Sequence, residues 1–355
     1  MTAQSRSPLG ICIVGCGGIA PRHAAALRRL KDRPRLFFAS RSAEKAETYR
    51  ARFGGDAGFG SYEQALGDER VHAAVICTPH DLHVEHALLA ASRGVHVLME
   101  KPLGRTLEEA DEIIRAVRAA ESKTGGRCVL MVAENFRFKP SVRKARRLIE
   151  AGAVGRVKCA RVKISELSRH GGWRTDVERM GGGALLDGGI HWVDTLLCLA
   201  GAAKKVYAVR GPKTREGVPL EDTVHIISEH EGGVVGELTH SWGIPAPGKV
   251  QFSSVSGTEG TLYIENHGYF LYLAGKKRRI HLLSPRDRTG FTAMHAEFLR
   301  GVRARQSAMS AGEVPAAETA DLSGDDGRRA LAFVLAAYRS FREGRAVELW
   351  DDVSR

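Results

Sequence analysis

The sequence has no long apolar run, no recognisable export signal and no closely paired cysteines. No stretch approaches the roughly 18 apolar residues that a membrane-spanning helix needs. Residues 1–8 are polar and lack the apolar core of a secretory signal, so we expect a cytoplasmic protein. The six cysteines include no C-x-x-C pair and lie mostly in apolar segments. This pattern is typical of buried free thiols in a reducing compartment and argues against a disulfide framework.

A nucleic-acid-binding motif is also missing, although the formal net charge is +12. Two short basic runs, 143–147 and 276–279, occur in a chain where acidic residues are interleaved with basic ones. A nucleic-acid surface would require basic residues along one face together with a recognisable motif. We therefore attribute the charge to solvated faces and to attraction of an anionic cofactor or substrate. We expect neither nucleic acid nor a membrane as a partner.

The chain has 355 residues, which is long enough for two domains, and its 43% apolar and 26% charged content is ordinary for a globular protein. Through residue 133, strand and helix signals alternate, which is typical of a parallel sheet built from βαβ units. The predicted strands are 9–14, 35–39, 71–77, 95–99 and 127–133. The predicted helices are 21–30, 43–53, 83–93 and 106–122.

Beyond residue 133 the character changes to alternating β runs with a few helices. The β runs are 157–164, 206–209, 223–229, 234–240, 250–256, 261–265 and 269–273, and the helices are 141–151, 184–199, 294–305 and 328–342. Turns such as Glu231-Gly-Gly233 favour antiparallel hairpins. The predicted fold is α/β: a doubly wound parallel sheet over residues 1–133, then an α/β domain with an open, mainly antiparallel sheet over 134–355. The terminal helices could pack back on the first domain.

A glycine-rich loop, Gly15-Cys-Gly-Gly-Ile-Ala20, follows the first predicted strand and opens the first predicted helix. It fits the G-x-G-x-x-[G/A] pattern of dinucleotide-binding turns. Gly15 permits a tight turn, Gly17 lets the backbone approach a pyrophosphate, and Ala20 allows close packing of the helix on the strand. With Gly18 and Ile19, these residues form the predicted cofactor loop, where the anion lies at a helix N-terminus.

The second predicted strand is followed by Ser40-Arg41, where an NAD enzyme usually has an acidic residue for the ribose 2′-hydroxyl. No carboxylate here repels a 2′-phosphate, and a hydroxyl and a guanidinium can bind one. The sequence therefore favours NADP, with NAD possible.

Glu100-Lys101-Pro102 closes the predicted strand 95–99, downstream of the glycine loop. Ligands of open parallel sheets bind beyond the carboxyl ends of the strands. Lys101 is therefore expected to reach a ligand that the glycine loop holds.

A second motif runs from Gly181-Gly-Gly183 to Asp194. Asp187, His191 and Asp194 are spaced i, i+4 and i+7, so they line one face of a predicted helix. In one interpretation His191 takes a hydroxyl proton and Asp187 orients it. The alternatives are a helix start with incidental polar residues, or a metal site; we see no further ligand cluster and expect no metal. Gly188-Gly189 would weaken a helix, which predicts a close approach by another group there.

Together these motifs resemble those of the Gfo/Idh/MocA family, the relatives of glucose–fructose oxidoreductase and inositol dehydrogenase. The matching motifs occur in the family's order and are Gly15-x-Gly-Gly-Ile19, Cys77-Thr-Pro79 with His83, Glu100-Lys-Pro102 and Gly181-Gly-Gly-x-Leu-x-Asp187-x-Gly-x-His191. The resemblance extends over nearly the whole chain. It implies a Rossmann domain that binds the cofactor and a C-terminal domain for substrate binding and oligomerisation, whose sheet forms homodimers or homotetramers.

The resemblance also implies oxidation or reduction of a sugar or cyclic polyol at a secondary carbon. It puts Lys101 beside the nicotinamide and the reacting oxygen, and it matches Asp187 and His191 to the family's acid/base pair. The positions that line the nicotinamide half of the cofactor are Thr78, Pro79, His83 and Glu100. The candidates for the substrate pocket are Asn135, Arg137, Trp173 and Arg174.

Two other activities occur among family relatives. Some are glycosidases that oxidise and re-reduce a sugar with a retained cofactor, and one branch is a regulator that does no chemistry. Intact Lys101, Asp187 and His191 argue against the regulator, whereas nothing in the sequence separates a glycosidase from a dehydrogenase. We expect an NAD(P)-dependent dehydrogenase acting on CH–OH donors, and no motif names its substrate.

Overall fold

The structure is a computed structural model that describes residues 8–246, 250–276, 278–310 and 323–349. The polar start at 1–7 and residue 277 of the predicted basic run lie outside the described residues. The helices are α1 (Ala20–Arg28), α2 (Ala43–Phe53), α3 (Tyr62–Gly67), α4 (His83–Ser92), α5 (Leu107–Ala119), α6 (Pro140–Glu150), α7 (Val177–Met180), α8 (Ile190–Ala200), α9 (Phe291–Ser310) and α10 (Gly324–Glu343). The strands are β1 (Gly10–Val14), β2 (Arg35–Ala39), β3 (Ala57–Phe59), β4 (Ala73–Ile76), β5 (His96–Met99), β6 (Leu130–Val132), β7 (Val157–Ser165), β8 (Ala203–Arg210), β9 (Thr223–His230), β10 (Val235–Ser241), β11 (Phe252–Gly257), β12 (Gly260–Glu265), β13 (Phe270–Gly275), β14 (Arg279–Leu282) and β15 (Val347–Glu348).

The chain divides into two compact units. The first comprises Met1–Gly104, Glu108–Ala133 and Phe291–Gly327, and the second comprises Arg105–Leu107, Glu134–Gly290 and Arg328–Arg355. Helix α9 lies in the range 134–355 that the sequence assigns to the C-terminal domain, but it belongs to the first unit. Helix α10 begins in the first unit and continues in the second. In the part of the chain that the structure describes, no helix is long and apolar enough to span a membrane.

The first unit is built on a six-stranded parallel sheet in the order β3-β2-β1-β4-β5-β6. Strands β1 (GICIV) and β4 (AAVI) are buried at every residue. Such continuous apolar strands are typical of a parallel sheet that helices cover on both faces. The direction of the connections reverses between β1 and β4, and ligands of such sheets bind at this switch point. The prediction of a doubly wound parallel sheet is confirmed.

The second unit is built on a nine-stranded sheet in the order β14-β13-β12-β11-β7-β10-β9-β8-β15. Its neighbouring strands are antiparallel except for β7 and β10, which are parallel. Along β9, Val224 and Ile226 are buried and Ile227 is exposed, the alternation of a sheet with one covered face. Helix α8 packs against β7 and β10. The prediction of an open, mainly antiparallel sheet is confirmed.

Candidate active site

The glycine-rich loop leaves the carboxyl end of β1 at the switch point of the first unit's sheet. Gly15 has a φ of +98°, and a Cβ atom there would lie 3.0 Å from the backbone of Cys77. Both the conformation and the space therefore exclude a side chain at this position. The Gly15 amide donates to the Ala39 carbonyl at 2.9 Å, and the Tyr49 hydroxyl donates to the Gly17 carbonyl at 3.2 Å. These bonds tie the loop to β2 and α2.

Gly17 and Gly18 are not required by the packing of the protein itself. A Cβ atom on Gly17 would have its nearest neighbour at 3.9 Å, and one on Gly18 would have none within 4 Å. Neither residue has a positive φ. A ligand that approaches the backbone does explain two glycines here, and helix α1 begins directly after the loop. The loop therefore fits the pyrophosphate of a dinucleotide.

The turn after β2 has the sequence Ser40-Arg41-Ser42. Ser40 is buried, and its hydroxyl accepts a hydrogen bond from the Ser42 amide at 3.3 Å. Ser42 caps helix α2 by accepting from the Lys45 amide at 3.2 Å. Arg41 is exposed. The turn thus combines a guanidinium with a helix N-terminus and has no carboxylate among its three residues, which suits a 2′-phosphate.

The turn after β4 begins with Thr78-Pro79 and is held by two buried histidines. The Thr78 hydroxyl lies 3.0 Å from His86 Nδ1. His83 is fully buried, with Nε2 3.1 Å from the Thr78 carbonyl oxygen and Nδ1 2.9 Å from the Pro102 carbonyl oxygen. Burial lowers the pKa of His83, and the two carbonyls oppose that lowering. His83 therefore joins the turns that follow β4 and β5.

Glu100 connects the Lys101 turn to two buried histidines. Its Oε1 lies 2.7 Å from His23 Nε2, and its Oε2 accepts from the Lys101 amide at 3.3 Å. His23 Nδ1 is 2.9 Å from His295 Nε2, and both rings are fully buried. Burial lowers the pKa of His295, which suits a neutral ring that donates to His23 while His23 donates to an ionised Glu100. The contacts of Glu100 in the structure therefore fix the strand end that carries Lys101.

Asp187 lies in a π-helical turn, Leu185–Gly189, directly before α8. Its Oδ2 accepts a hydrogen bond from Arg174 Nε at 2.7 Å. A Cβ atom on Gly188 would lie 2.7 Å from the Trp242 ring. The close approach predicted at Gly188-Gly189 is therefore present, and at Gly188 the approaching group is a side chain of this protein. Single π turns inside α-helices are frequent at functional sites.

His191, in the first turn of α8, pairs with Glu134. His191 Nδ1 lies 2.5 Å from Glu134 Oε2, and the two side chains are 15% and 1% exposed. Phe136 stacks on the imidazole, with ring centroids 4.5 Å apart and planes 13° from parallel. The carboxylate that the structure brings to the imidazole is therefore that of Glu134, and the orientation of His191 by Asp187 stays a prediction.

The segment between β6 and α6 makes a second contact with α8. Arg137 forms a buried ion pair with Asp194, with Nη2 and Oδ1 2.5 Å apart. Asn135 is also buried, and its side-chain amide donates to the Thr289 carbonyl at 2.6 Å. Of these two predicted pocket residues, Arg137 lies against the helix that carries His191, and the Asn135 amide is bonded to the backbone.

Lys139 ends the same segment and is buried. Its Nζ lies 3.4 Å from the centroid of the Phe136 ring and donates to the Asn266 carbonyl at 3.3 Å. Burial lowers the pKa of Lys139 to about 7, and the charge of Glu265 opposes this effect.

Trp173 and Arg174 lie on a short 3-10 turn, Gly172–Thr175. The Arg174 guanidinium carbon is 4.3 Å from the centroid of the Trp173 ring, while its Nε bonds Asp187. Trp173 packs against a buried cluster that comprises Met180, Ala184, Val218 and Trp242. The structure therefore brings Arg174 to Asp187, and Trp173 lies against Arg174.

Two buried groups that the sequence did not suggest hold the start of the π-helical turn. The Tyr338 hydroxyl accepts from the amides of Gly183 (2.9 Å) and Leu186 (3.2 Å). Glu221 Oε1 accepts from the Leu185 amide at 2.7 Å and lies 3.3 Å from the Tyr338 hydroxyl. Burial raises the pKa of Glu221 to about 7. A hydroxyl has one proton and two lone pairs, so Tyr338 can accept both amides and donate to Glu221.

The sequence analysis missed Glu134, Glu221 and Tyr338, and the sequence held one usable signal among them. Glu134 follows the predicted strand 127–133 directly, as Glu100 follows the predicted strand 95–99, and an acid at a strand end can be read as a site residue. Glu221 and Tyr338 are 117 positions apart and offer no local pattern. Among the described residues, no group of three or more His, Cys, Asp or Glu could hold a metal ion.

Comparison with known proteins shows similarity over most of the chain. Residues 9–125 match the family model described as oxidoreductase family, NAD-binding Rossmann fold, and residues 142–263 match the GFO/IDH/MocA C-terminal domain. The trans-1,2-dihydrobenzene-1,2-diol dehydrogenase of Mus musculus is 33% identical over 71% of this chain and 73% of its own length. The 1,5-anhydro-D-fructose reductase of Ensifer adhaerens is 28% identical over 95% of this chain and 97% of its own. The crystal structure of an oxidoreductase from Thermotoga maritima has a TM-score of 0.81 at 25% identity, covering 97% of this chain and 99% of that one.

Proposed function

Since this chain belongs to the Gfo/Idh/MocA family of oxidoreductases, we propose that it transfers hydride between a nicotinamide cofactor, preferably NADP, and a secondary hydroxyl or ketone of a sugar, cyclic polyol or related diol. The observation that carries the proposal is in the first unit. The glycine loop follows β1 and Lys101 follows β5, with only β4 between the two strands. Both groups therefore lie at the carboxyl edge of one parallel sheet. The names of the relatives, a dihydrodiol dehydrogenase and an anhydrofructose reductase, support a cyclic hydroxyl compound as substrate.

In the proposed reaction, His191, Lys101 and Asp187 have separate roles. When bound, the cofactor supplies the hydride acceptor for oxidation and the hydride donor for reduction. In oxidation the C–H electron pair leaves as hydride, the O–H proton passes to His191, and the carbon becomes a carbonyl. Lys101 hydrogen-bonds the reacting oxygen and stabilises the negative charge that develops there. Asp187, oriented by Arg174, accepts a hydrogen bond from a substrate hydroxyl.

The preference for NADP is supported by the turn Ser40-Arg41-Ser42. A 2′-phosphate there would meet the Arg41 guanidinium and the N-terminus of α2, and no carboxylate in the turn would repel it. A Ser40→Asp substitution introduces the acidic residue that NAD enzymes use for the 2′-hydroxyl. We expect this variant to lose at least about tenfold in kcat/KM for NADP⁺ relative to NAD⁺, because the new charge repels the phosphate.

The test is nicotinamide reduction by the purified protein with NADP⁺ and NAD⁺ in parallel. The panel comprises aldoses, inositols, cyclic diols and phosphorylated sugars, and Ser61→Asp, at the N-cap of α3, is the matched control for Ser40→Asp. Turnover with NADP⁺ supports the proposal, and a preference for NAD⁺ contradicts its cofactor. Hydrolysis of a glycoside without net reduction would instead support a glycosidase that retains its cofactor.

We also propose that the chain forms a homodimer or homotetramer through the open face of its nine-stranded sheet. An apolar groove on β11–β14 is lined by Phe252, Tyr263, Phe270, Tyr272, Ala274 and Ile280. Soluble monomers rarely expose a contiguous apolar surface of this kind. A second copy is the occupant we propose, because one such face can pair with itself around a twofold axis.

A further inference from the structure

We infer that Glu134 is a positioning residue for His191: its carboxylate holds the imidazole proton on Nδ1 and leaves Nε2 as the nitrogen that exchanges a proton with the substrate. The role of Nε2 rests on the proposed function. The placement of the proton on Nδ1 rests on the geometry of the second unit alone.

The distance between His191 Nδ1 and Glu134 Oε2 is 2.5 Å, which is within hydrogen-bond distance. A neutral imidazole donates through one nitrogen and accepts through the other. An ionised carboxylate can only accept, so Nδ1 carries the proton. Among the described residues, no side chain or backbone group hydrogen-bonds Nε2, and its lone pair is therefore available to a substrate hydroxyl.

The burial of the Glu134 carboxylate lowers the stability of the fold, so stability by itself does not explain a glutamate at this position. The side chain is 1% exposed, and its Oε1 has no hydrogen-bond partner among the described residues. A buried carboxylate with a single donor destabilises a fold, and an apolar residue of similar size would avoid that cost. The arrangement becomes favourable when His191 takes up a proton, because the carboxylate then faces an imidazolium. Glu134 thus stabilises the form of His191 that exists after proton transfer.

The other charged groups around α8 have different partners. Arg137 pairs with Asp194, and Asp187 bonds Arg174. Lys139 lies on the ring of Phe136, and the same ring stacks on the imidazole and restricts its rotation. Glu134 is therefore the described carboxylate that contacts the imidazole.

The first test is Glu134→Gln, which keeps the shape and can still accept from Nδ1–H but has no charge. We expect kcat to fall at least about tenfold, as for other groups that orient a reacting histidine. The KM for the cofactor should change less than kcat, because the described contacts of Glu134 and His191 do not involve the glycine loop. Glu134→Asp retains the charge and should lose less kcat than Glu134→Gln.

The second test does not need activity. Nitrogen-15 NMR of histidine-labelled protein, with His191 assigned from a His191→Gln variant, should show Nδ1 protonated and Nε2 unprotonated. Thr195→Val is the matched control, since the Thr195 hydroxyl bonds the His191 carbonyl at 2.8 Å without contacting the ring. The inference is overturned by a proton on Nε2, or by a kcat that falls as far in Glu134→Asp as in Glu134→Gln. If no alcohol is oxidised, the proposed function fails and the NMR result still decides the proton's place.

Discussion

At the scale of single residues, Lys101 and Lys139 show how surroundings set the chemistry of a lysine. Lys101 follows β5, is partly exposed, and has its backbone amide held by Glu100. Lys139 is buried against Phe136, and its pKa is lowered to about 7. The first side chain can bring its charge to a ligand, whereas the second has its charge suppressed by burial.

Replacing Lys101 by methionine should affect turnover far more than folding. Loss of the donor to the developing alkoxide is expected to lower kcat by about 100-fold or more. The free energy of unfolding should change by no more than about 0.5 kcal/mol, because the side chain is partly exposed. Steady-state kinetics and urea unfolding measure both quantities, with Lys31→Met, an exposed lysine of the same unit, as the control. An unchanged kcat in the Lys101 variant would remove this residue from the mechanism.

Replacing Lys139 by methionine should change the pH dependence of stability. The native pKa is about 7 and the unfolded value is about 10.4, so between these values the unfolded chain binds one proton more. The wild-type free energy of unfolding should therefore rise by about 1.4 kcal/mol per pH unit between pH 7 and pH 10 because of this group. Below pH 7, where the buried lysine is charged, this group lowers the free energy of unfolding most. The variant should lack this gain.

Urea unfolding at pH 7, 8 and 9 measures the effect of Lys139. Lys204→Met, at an exposed lysine of the second unit, should follow the wild-type slope. Identical slopes for the Lys139 variant and the wild type would show that Lys139 keeps its charge in the native state, with the Phe136 ring compensating for burial.

At the scale of elements, the π-helical turn before α8 depends on groups outside it. Tyr338 on α10 and Glu221 before β9 accept amides at the start of the turn. Gly183 has to lack a side chain, because a Cβ atom would lie 2.1 Å from Glu221 Oε2. The position of Asp187 is therefore set by residues far away in the sequence.

Tyr338→Phe should weaken this element and the activity together. The amides of Gly183 and Leu186 lose a buried acceptor, so we expect the free energy of unfolding to fall by about 1–3 kcal/mol. The kcat should also fall, because Asp187 is displaced, whereas the affinity for the nicotinamide cofactor should persist. Chemical unfolding, kinetics and cofactor titration measure these effects, and Tyr207→Phe, at an exposed tyrosine, is the matched control. Full activity with normal stability would mean that the turn holds its shape without the hydroxyl.

Local sequence signals predicted the elements that local interactions determine. Helix α2 and strand β2 occur at the predicted residues, since an N-cap serine and an apolar run mark their bounds. Strand β3 was not predicted, because three residues are too few to show a period. Strand β14 begins within the basic run 276–279, which was interpreted as a solvated face.

The candidate site was predictable only in part. The glycine loop and Lys101 follow strands whose apolar runs are plain in the sequence. The i, i+4 spacing of Asp187 and His191 is the same with or without a π turn, so the interruption could not be seen. Glu134 and His191 are 57 positions apart, and only the folded chain brings these two side chains together.

At the scale of the whole molecule, the open face of the nine-stranded sheet leads to a prediction about assembly. Ile280 is 61% exposed and lines the apolar groove. Ile280→Lys should place a charge in the proposed interface and shift the protein towards monomer, as sedimentation velocity would measure. Leu167→Lys, at an exposed apolar residue outside the sheet, should leave the assembly unchanged. A wild-type monomer at micromolar concentration would contradict the proposed interface.

The first unit is discontinuous along the chain, because α9 packs on α1 and places His295 beside His23. A ribosome that has made residues 1–133 has delivered every strand of the parallel sheet but not that helix. The face of α1 that α9 covers then stays in water, and His23 lacks its neighbour at Nδ1. The first unit of the nascent chain is therefore complete only after nearly all of the antiparallel sheet has been synthesised. Until then, chaperones and proteases encounter a first unit that lacks α9.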